Sequence, residues 1–294
     1  MAFLGFGRSP VVVKIKLTGC DDRITKTTPD SDDAPGKDIY VFMGHEDIAG
    51  EVEVEVLPGK KVEHIGVKIE MVGQIELYYD RGQHKEFLCV VNELAGPGVL
   101  EGDNKFAFDY SKQDKQYETY YGLNVSLRYY LRVTITRQYN SNLVNEEDFW
   151  VQLIQPEPEI NNSIKMEVGI EECLHIEFEY DKSKYHMRDV ILGKVFFLLV
   201  RIKIKHMELA IVRREQAGSG SNTFNDSDTV TKFEIMDGAP VRGESVPIRL
   251  FLGHQDLTPT YLNVNKMFSV RYYLNLVLVD EDDRRYFKQQ EVTL

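Results

Sequence analysis

The stretch "SLRYYLRVTITR", Ser126–Arg137, returns in shortened form as "SVRYYL" at the head of "SVRYYLNLVLVDEDDRRYFKQQEV", Ser269–Val292. Ser, an aliphatic residue, Arg, Tyr, Tyr and Leu recur 143 positions apart, a spacing about the size of one domain. A second pair follows the same order: "VKIEMVGQIEL" at Val67–Leu77 is similar to "VRIKIKHMEL" at Val200–Leu209, allowing one deletion. Two matched segments at similar offsets point to two related domains. The competing explanation is that strand-forming composition and a small alphabet produce such likenesses by chance.

The dominant period around these segments is two. "EVEVEV", Glu51–Val56, places its valines on one face and its glutamates on the other, as a strand with one wet face requires. Pro58-Gly59 then signals a turn, and alternation resumes from Val62 to Tyr79. The stretch through Val200, Ile202 and Ile204, interleaved with Arg201, Lys203 and Lys205, predicts one half-buried strand running on into Leu209. Further strands are expected at 11–17, 39–43, 87–91, 104–110, 124–137, 149–154, 164–172, 174–180, 233–236, 245–252, 266–279 and 285–292. Helical readings compete only at Asn142–Trp150 and in "FLCVVNELAGPG", Phe87–Gly98. Asp21–Lys37 reads as irregular, and Glu215–Asp228, rich in small residues, as a mobile loop. Many short strands between Gly, Pro, Asn and Asp turns indicate an all-β protein. "QPEPEINN", Gln155–Asn162, carries two prolines that interrupt ladder pairing. It divides the chain into 1–154, a linker 155–163, and 164–294.

The whole-chain numbers narrow the function. With 294 residues, 43% hydrophobic, the chain can fill a substantial core. Its formal net charge is −12, both halves being acidic, which argues against a nucleic-acid binder and against general attraction to anionic lipid. Cys20, Cys89 and Cys173 are too scattered for a disulfide framework or a zinc site, and a reducing, cytoplasmic compartment is expected. "MAFLGFGRSP" lacks the features of a signal peptide, and the longest apolar run, Val195–Val200, is far short of a membrane span.

Signatures of catalysis are absent: no GxSxG, HExxH, GxGxxG or phosphate-loop pattern occurs, and the seven histidines are dispersed. "DEDD", Asp280–Asp283, lacks calcium-loop spacing and sits between two strand segments, so it reads as a solvated hairpin turn. No cofactor is implied. In Tyr129-Tyr130 and Tyr272-Tyr273, adjacent strand residues face opposite ways, so one ring of each pair enters a core and the other faces outward. Recognition is the natural role for such a chain, through sheet edges that accept an extended peptide or loop ends that dock a partner.

Three segments, "NNSIKMEVGIEECLHIEFEYDKSKYH" (161–186), "EIMDGAPVRGESVPIRLFLG" (234–253) and "FSVRYYLNLVLVDEDDRRYFKQQE" (268–291), closely resemble the arrestin-like small subunit of retromer, the vacuolar protein sorting 26 family. With Glu63–Asp80 and the first RYYL strand, the resemblance spans almost the whole chain and is weakest before Val62. It implies two arrestin-like β-sandwich domains in tandem and no catalytic activity. It also implies a place on the cytosolic face of endosomal membranes, held there mainly through partners. The implied partners are the helical-solenoid scaffold subunit, a sorting nexin and the cytosolic tails of transmembrane cargo. The family's scaffold-binding loop maps onto Ile235, Met236 and Asp237, with Ile235 and Met236 as an exposed apolar pair. Its cargo seam between the domains maps onto Ile164, Met166 and Val168 and onto Phe287 of the last hairpin, where Val168 and Phe287 would share core and pocket roles. The family commonly continues into a flexible tail beyond the point where this sequence reads "QQEVTL". A free-standing arrestin-related trafficking adaptor is the alternative, and an enzyme the weakest option.

Overall fold

The computed structural model describes residues 10–30, 35–79, 84–170, 172–219 and 222–294. Contacts divide the chain into two compact units, Met1–Gln155 and Pro156–Leu294. In the first, the strands are β1 (Val11–Leu17), β2 (Thr25–Thr27), β3 (Asp38–Met43), β4 (Ile48–Val56), β5 (Val62–His64) and β6 (Gly66–Leu77). They continue as β7 (His84–Ala95), β8 (Gly98–Leu100), β9 (Asp103–Tyr110), β10 (Tyr120–Tyr121), β11 (Val125–Thr136) and β12 (Leu143–Gln152). The second holds β13 (Ile164–Ile170), β14 (Leu174–Tyr180), β15 (Val190–Val200), β16 (Ile204–Ser219) and β17 (Asn222–Asp237). It is completed by β18 (Ser245–Phe251), β19 (Tyr261–Val264), β20 (Phe268–Asp280) and β21 (Arg285–Val292). Among the described residues there is no helix, and so none long and apolar enough to cross a membrane. The fold is all-β, two arrestin-like sandwiches in tandem.

In the first unit a sheet ordered β1-β4-β9 faces a larger one ordered β2-β3-β12-β11-β6-β7. Val52 and Val54 of "EVEVEV" are fully buried, while the opposite face of β4 carries Glu51, Glu53 and Glu55. Those glutamates are laced to lysines of the flanking strands: Lys105 lies 2.8 Å from Glu53, Lys16 also 2.8 Å, and Lys14 2.8 Å from Glu55. Leu127, Tyr129, Leu131 and Val133 of β11 line the inner face with no exposure. Replacing any of these aliphatics by Ala would cost about 2–5 kcal/mol. The Tyr110 hydroxyl of β9 donates to the Ile69 carbonyl of β6 at 2.8 Å, a buried tie from one sheet to the other.

The sequence repeat has a topological counterpart. β11 is flanked by β6, beyond which lies β7, and on its other side by β12, with short β10 against its first residues. β20 is flanked by β16, beyond which lies β17, and on its other side by β21, with short β19 against its first residues. The two RYYL strands therefore occupy the same place in equivalent sheets, and Val67–Leu77 and Leu209 fall in the equivalent neighbours β6 and β16. The first tyrosine of each pair, Tyr129 and Tyr272, has no exposure. The second points to the outer face under an arginine, Arg128 at 4.1 Å over Tyr130 and Arg214 at 4.5 Å over Tyr273.

Several expectations are corrected. Both helical readings fall on strands, β7 and β12, where cross-strand packing decides; Phe149, for example, is buried opposite Tyr129. Glu215–Asp228 is not a loop but the distal half of the long β16–β17 hairpin. Residues 220 and 221 of that segment lie outside the described residues, and Arg213 and Asp228 pair across the ladder at 3.0 Å. The strand expected to run from Val200 to Leu209 breaks at Arg201–Lys203, where the chain leaves β15 in one sheet and enters β16 in the other. Alternation survives that crossover because both strands bury one face against the same core, so periodicity alone does not register the change of sheet. The irregular segment Asp21–Lys37 contains β2, and residues 31–34 of it lie outside the described residues, as do residues 1–9 of the amino terminus. The acidic run is a hairpin turn: Asp280 Oδ1 accepts from the backbone N–H groups of Asp282 and Arg284, both at 2.9 Å, and its Oδ2 from the Tyr286 hydroxyl at 2.8 Å.

Candidate functional site

All seven residues singled out for binding lie in the second unit, on three strands that each form a sheet edge. β17 is one edge of the sheet ordered β17-β16-β20, with β21 and β19 on the far side of β20. Near the end of β17 the register runs from Glu208 opposite Glu234 to Met207 opposite Met236, leaving Ile235 as the extra residue of a β-bulge. Ile235 and Met236 are half-buried and Asp237 is exposed. The three residues thus sit at a strand end and not on a loop, because pairing with fully buried Met207 and with His206 extends the ladder through Asp237. Gly238, at φ +105°, then turns the chain away, its N–H donating to the Lys205 carbonyl at 2.7 Å.

Beside the bulge, Glu208 is contacted by His206 at 3.0 Å and Lys232 at 2.7 Å. Burial opposes its ionisation, yet these two partners hold its carboxyl below the usual range. The strand end therefore presents a half-buried aliphatic bulge beside a charged, hydrogen-bonded cluster, which suits insertion into an apolar slot with polar register.

β13 is the outermost strand of the other sheet, ordered β13-β14-β15-β18. Ile164, Met166 and Val168 pair with Tyr180, Phe178 and Ile176, all buried, and share their inward face. They are themselves only half-buried, being at the edge, while Lys165, Glu167 and Gly169 face solvent. On that outward face Glu167, His175 and Glu177 offer ligand atoms within 4.8 Å of one another, with His175 Nε2 3.5 Å from Glu167. A polar contact between neighbouring strands accounts for that arrangement.

Phe287 does not join a core. Its partner across the hairpin is Val277, on the outer face of β20, and 66% of Phe287 is exposed. The register assigns the inward positions of β20 to Tyr272, Leu274, Leu276 and Leu278, which leaves the odd-numbered residues of β21 outside. Val168 thus faces inward from one sheet of the unit, and Phe287 faces outward from the other. Their strands are nonetheless tied together: Asn161 Oδ1 accepts from the backbone N–H groups of Ser183 and Lys184, both at 3.0 Å. Thr293, just past β21, pairs with that same segment through Ser183 and Tyr185 at 3.0 and 2.9 Å. Asn161 thus clasps the approach to β13 onto the 183–185 segment that also holds the end of β21. Nothing in the local pattern distinguishes such a clasp. Ile235 and Met236 lie on the other edge strand of the five-stranded sheet from Phe287.

The family model described as vacuolar protein sorting-associated protein 26 matches residues 7–283. The chain belongs to that family. The Vps26-family chain is 56% identical over 287 residues to the vacuolar protein sorting-associated protein 26 of Dictyostelium discoideum, covering 97% of this chain and 82% of that protein. It is 56% identical over 295 residues to vacuolar protein sorting-associated protein 26B of Danio rerio, with 100% and 88% covered. Against the 26B protein of Homo sapiens the identity is 55% over 295 residues, with 100% and 87% covered. Membership of the Vps26 family makes the chain a component of protein sorting and confirms the resemblance carried by its three long segments.

Proposed function

We propose that the chain is a non-enzymatic coat subunit of retromer, working at the cytosolic face of endosomal membranes. It binds the helical-solenoid scaffold subunit through the end of β17 and, with a sorting nexin, takes up the cytosolic tails of transmembrane cargo. The observation that carries this reading is the Vps26 family match over residues 7–283. In this account 1–154 and 164–294 are the two arrestin-like domains and 155–163 the linker. Ile235 and Met236 insert into the scaffold, and Asp237 sets the register. Ile164, Met166 and Val168 supply the edge against which a cargo strand adds, through main-chain pairing of the kind an outermost strand allows, and Phe287 adds an exposed aromatic surface. The acidic charge of the chain is consistent with membrane attachment through partners.

The test replaces Ile235 and Met236 together by Asp and measures scaffold binding by calorimetry, with the unfolding temperature recorded alongside. Loss of binding in a folded variant supports the reading, and unchanged affinity contradicts it. For the cargo edge, Val168→Asn with the sorting nexin present should weaken uptake of a cargo peptide bearing an apolar anchor; equal affinity would remove Val168 from the site.

A further inference from the structure

On the outer face of the second unit's five-stranded sheet, Arg214 of β16 and Arg271 of β20 are direct cross-strand partners. Like charges so placed repel. The equivalent pair in the first unit is Gln74 opposite Arg128, and Arg128 there is held by Glu146 at 2.8 Å and Asp148 at 2.9 Å. In the second unit Arg271 meets Glu291 at 3.2 Å, an ion pair nearly half exposed on both sides. Arg214 lies over the Tyr273 ring and donates to the neutral carboxamide of Gln289 at 2.6 Å. No carboxylate among the described residues is paired with Arg214.

Beside the arginines is an open concavity of about 450 Å³, lined also by Gln216, Asn225 and Ser227. Gln216 pairs with Asn225 and Arg214 with Ser227, so these side chains share one face. Glu215 and Asp226 also line the concavity, but they lie opposite each other in the alternate register, so their side chains point to the other face. The concavity thus combines two guanidinium groups, one already matched by Glu291, with carboxamide and hydroxyl groups that both donate and accept.

We propose that this concavity binds the carboxylate of an acidic peptide segment. On the face that carries the arginines the surplus is one positive charge, which matches a monoanionic carboxylate better than a dianionic phosphate. The guanidinium pair takes the carboxylate oxygens, and Gln216 and Asn225 satisfy the adjoining peptide groups. The carboxamides of Gln216 and Asn225, which can pair with main-chain groups, favour a protein segment over an anionic bilayer as the occupant. The proposal does not depend on the coat reading.

The experiment is calorimetric titration of the full chain with two peptides that differ only in carrying Glu or Gln at their centre, and with inorganic phosphate. Saturable binding of the Glu peptide is expected, weakened about tenfold or more in Arg214→Gln and in Arg271→Lys, with the Gln peptide bound no better than the variants bind the Glu peptide. Arg214→Gln installs the residue type of the sister sheet and should raise the unfolding temperature without peptide, which separates a lost site from a lost fold. The proposal is overturned if the Glu peptide does not bind, if either variant binds it as well as the native chain, or if inorganic phosphate, or phosphatidylserine vesicles titrated in the same way, bind and the Glu peptide does not.

Discussion

Tyr272 holds in the second unit the position that Tyr129 holds in the first, each fully buried on the central strand of its sheet with its hydroxyl fastening the chain upstream. The Tyr129 hydroxyl donates to the Tyr117 carbonyl at 2.9 Å and accepts from the Tyr117 N–H at 3.3 Å, just before β10. The Tyr272 hydroxyl accepts from the Thr258 N–H at 3.0 Å and lies 2.9 Å from Thr258 Oγ1, just before β19. The same device recurs in both units.

Removing either hydroxyl leaves backbone groups without their partner while the ring still fills its space. Tyr129→Phe and Tyr272→Phe should each destabilise their own unit by about 1–3 kcal/mol. Denaturant unfolding of the single variants checks this. Values within error of the native chain would show that the hydroxyls fasten nothing.

Gly73 lies directly across the ladder from Tyr129. A Cβ there would stand 2.6 Å from two ring atoms of Phe87 and 3.0 Å from Tyr129 Cε1, in the middle of a T-shaped ring pair 5.4 Å apart. Gly73→Ala should therefore cost about 1–3 kcal/mol through overpacking. Gly96→Ala, where a Cβ meets nothing within 4 Å, is the control and should stay within about 0.5 kcal/mol of the native chain.

Glu53 gives the first unit a pH dependence of definite sign. Hydrogen bonds from Lys105 and then Lys16 hold its carboxyl down at about 2, against an ordinary 4.5. A depressed folded-state value means that the ionised form stabilises the fold above pH 4.5, and that this contribution is lost as the pH falls toward 2. In thermal melts across that window, Glu53→Gln should lose less stability than the native chain. Parallel curves would contradict the assignment.

Much of this was legible in the sequence because strand burial writes itself at period two. "EVEVEV" and the RYYL segments could be placed on strands and faces from their own residues, since each lies where one face is core and the other wet. The crossover at Arg201–Lys203 was not legible, because the alternation of Val200, Ile202 and Ile204 is the same whether the strand continues or changes sheets. The β16–β17 hairpin was hidden for the opposite reason: its tip composition reads as a loop, while the pairing that makes it a ladder lies in partners such as Arg213 and Asp228, fifteen residues apart. At the candidate site, alternation gave the shared face of Ile164, Met166 and Val168. The bulge at Ile235 and the outward face of Phe287 depend on registers with β16 and β20, which no local pattern encodes.

The central claim is stoichiometric assembly with a long helical-repeat scaffold, and mass measurement of the two proteins purified together tests it most directly. A one-to-one complex from the native chain, absent for the Ile235→Asp, Met236→Asp double variant that still unfolds cooperatively, is the predicted result. A native chain that stays monomeric beside the scaffold at micromolar concentration, or a double variant that assembles as well as the native chain, would contradict it.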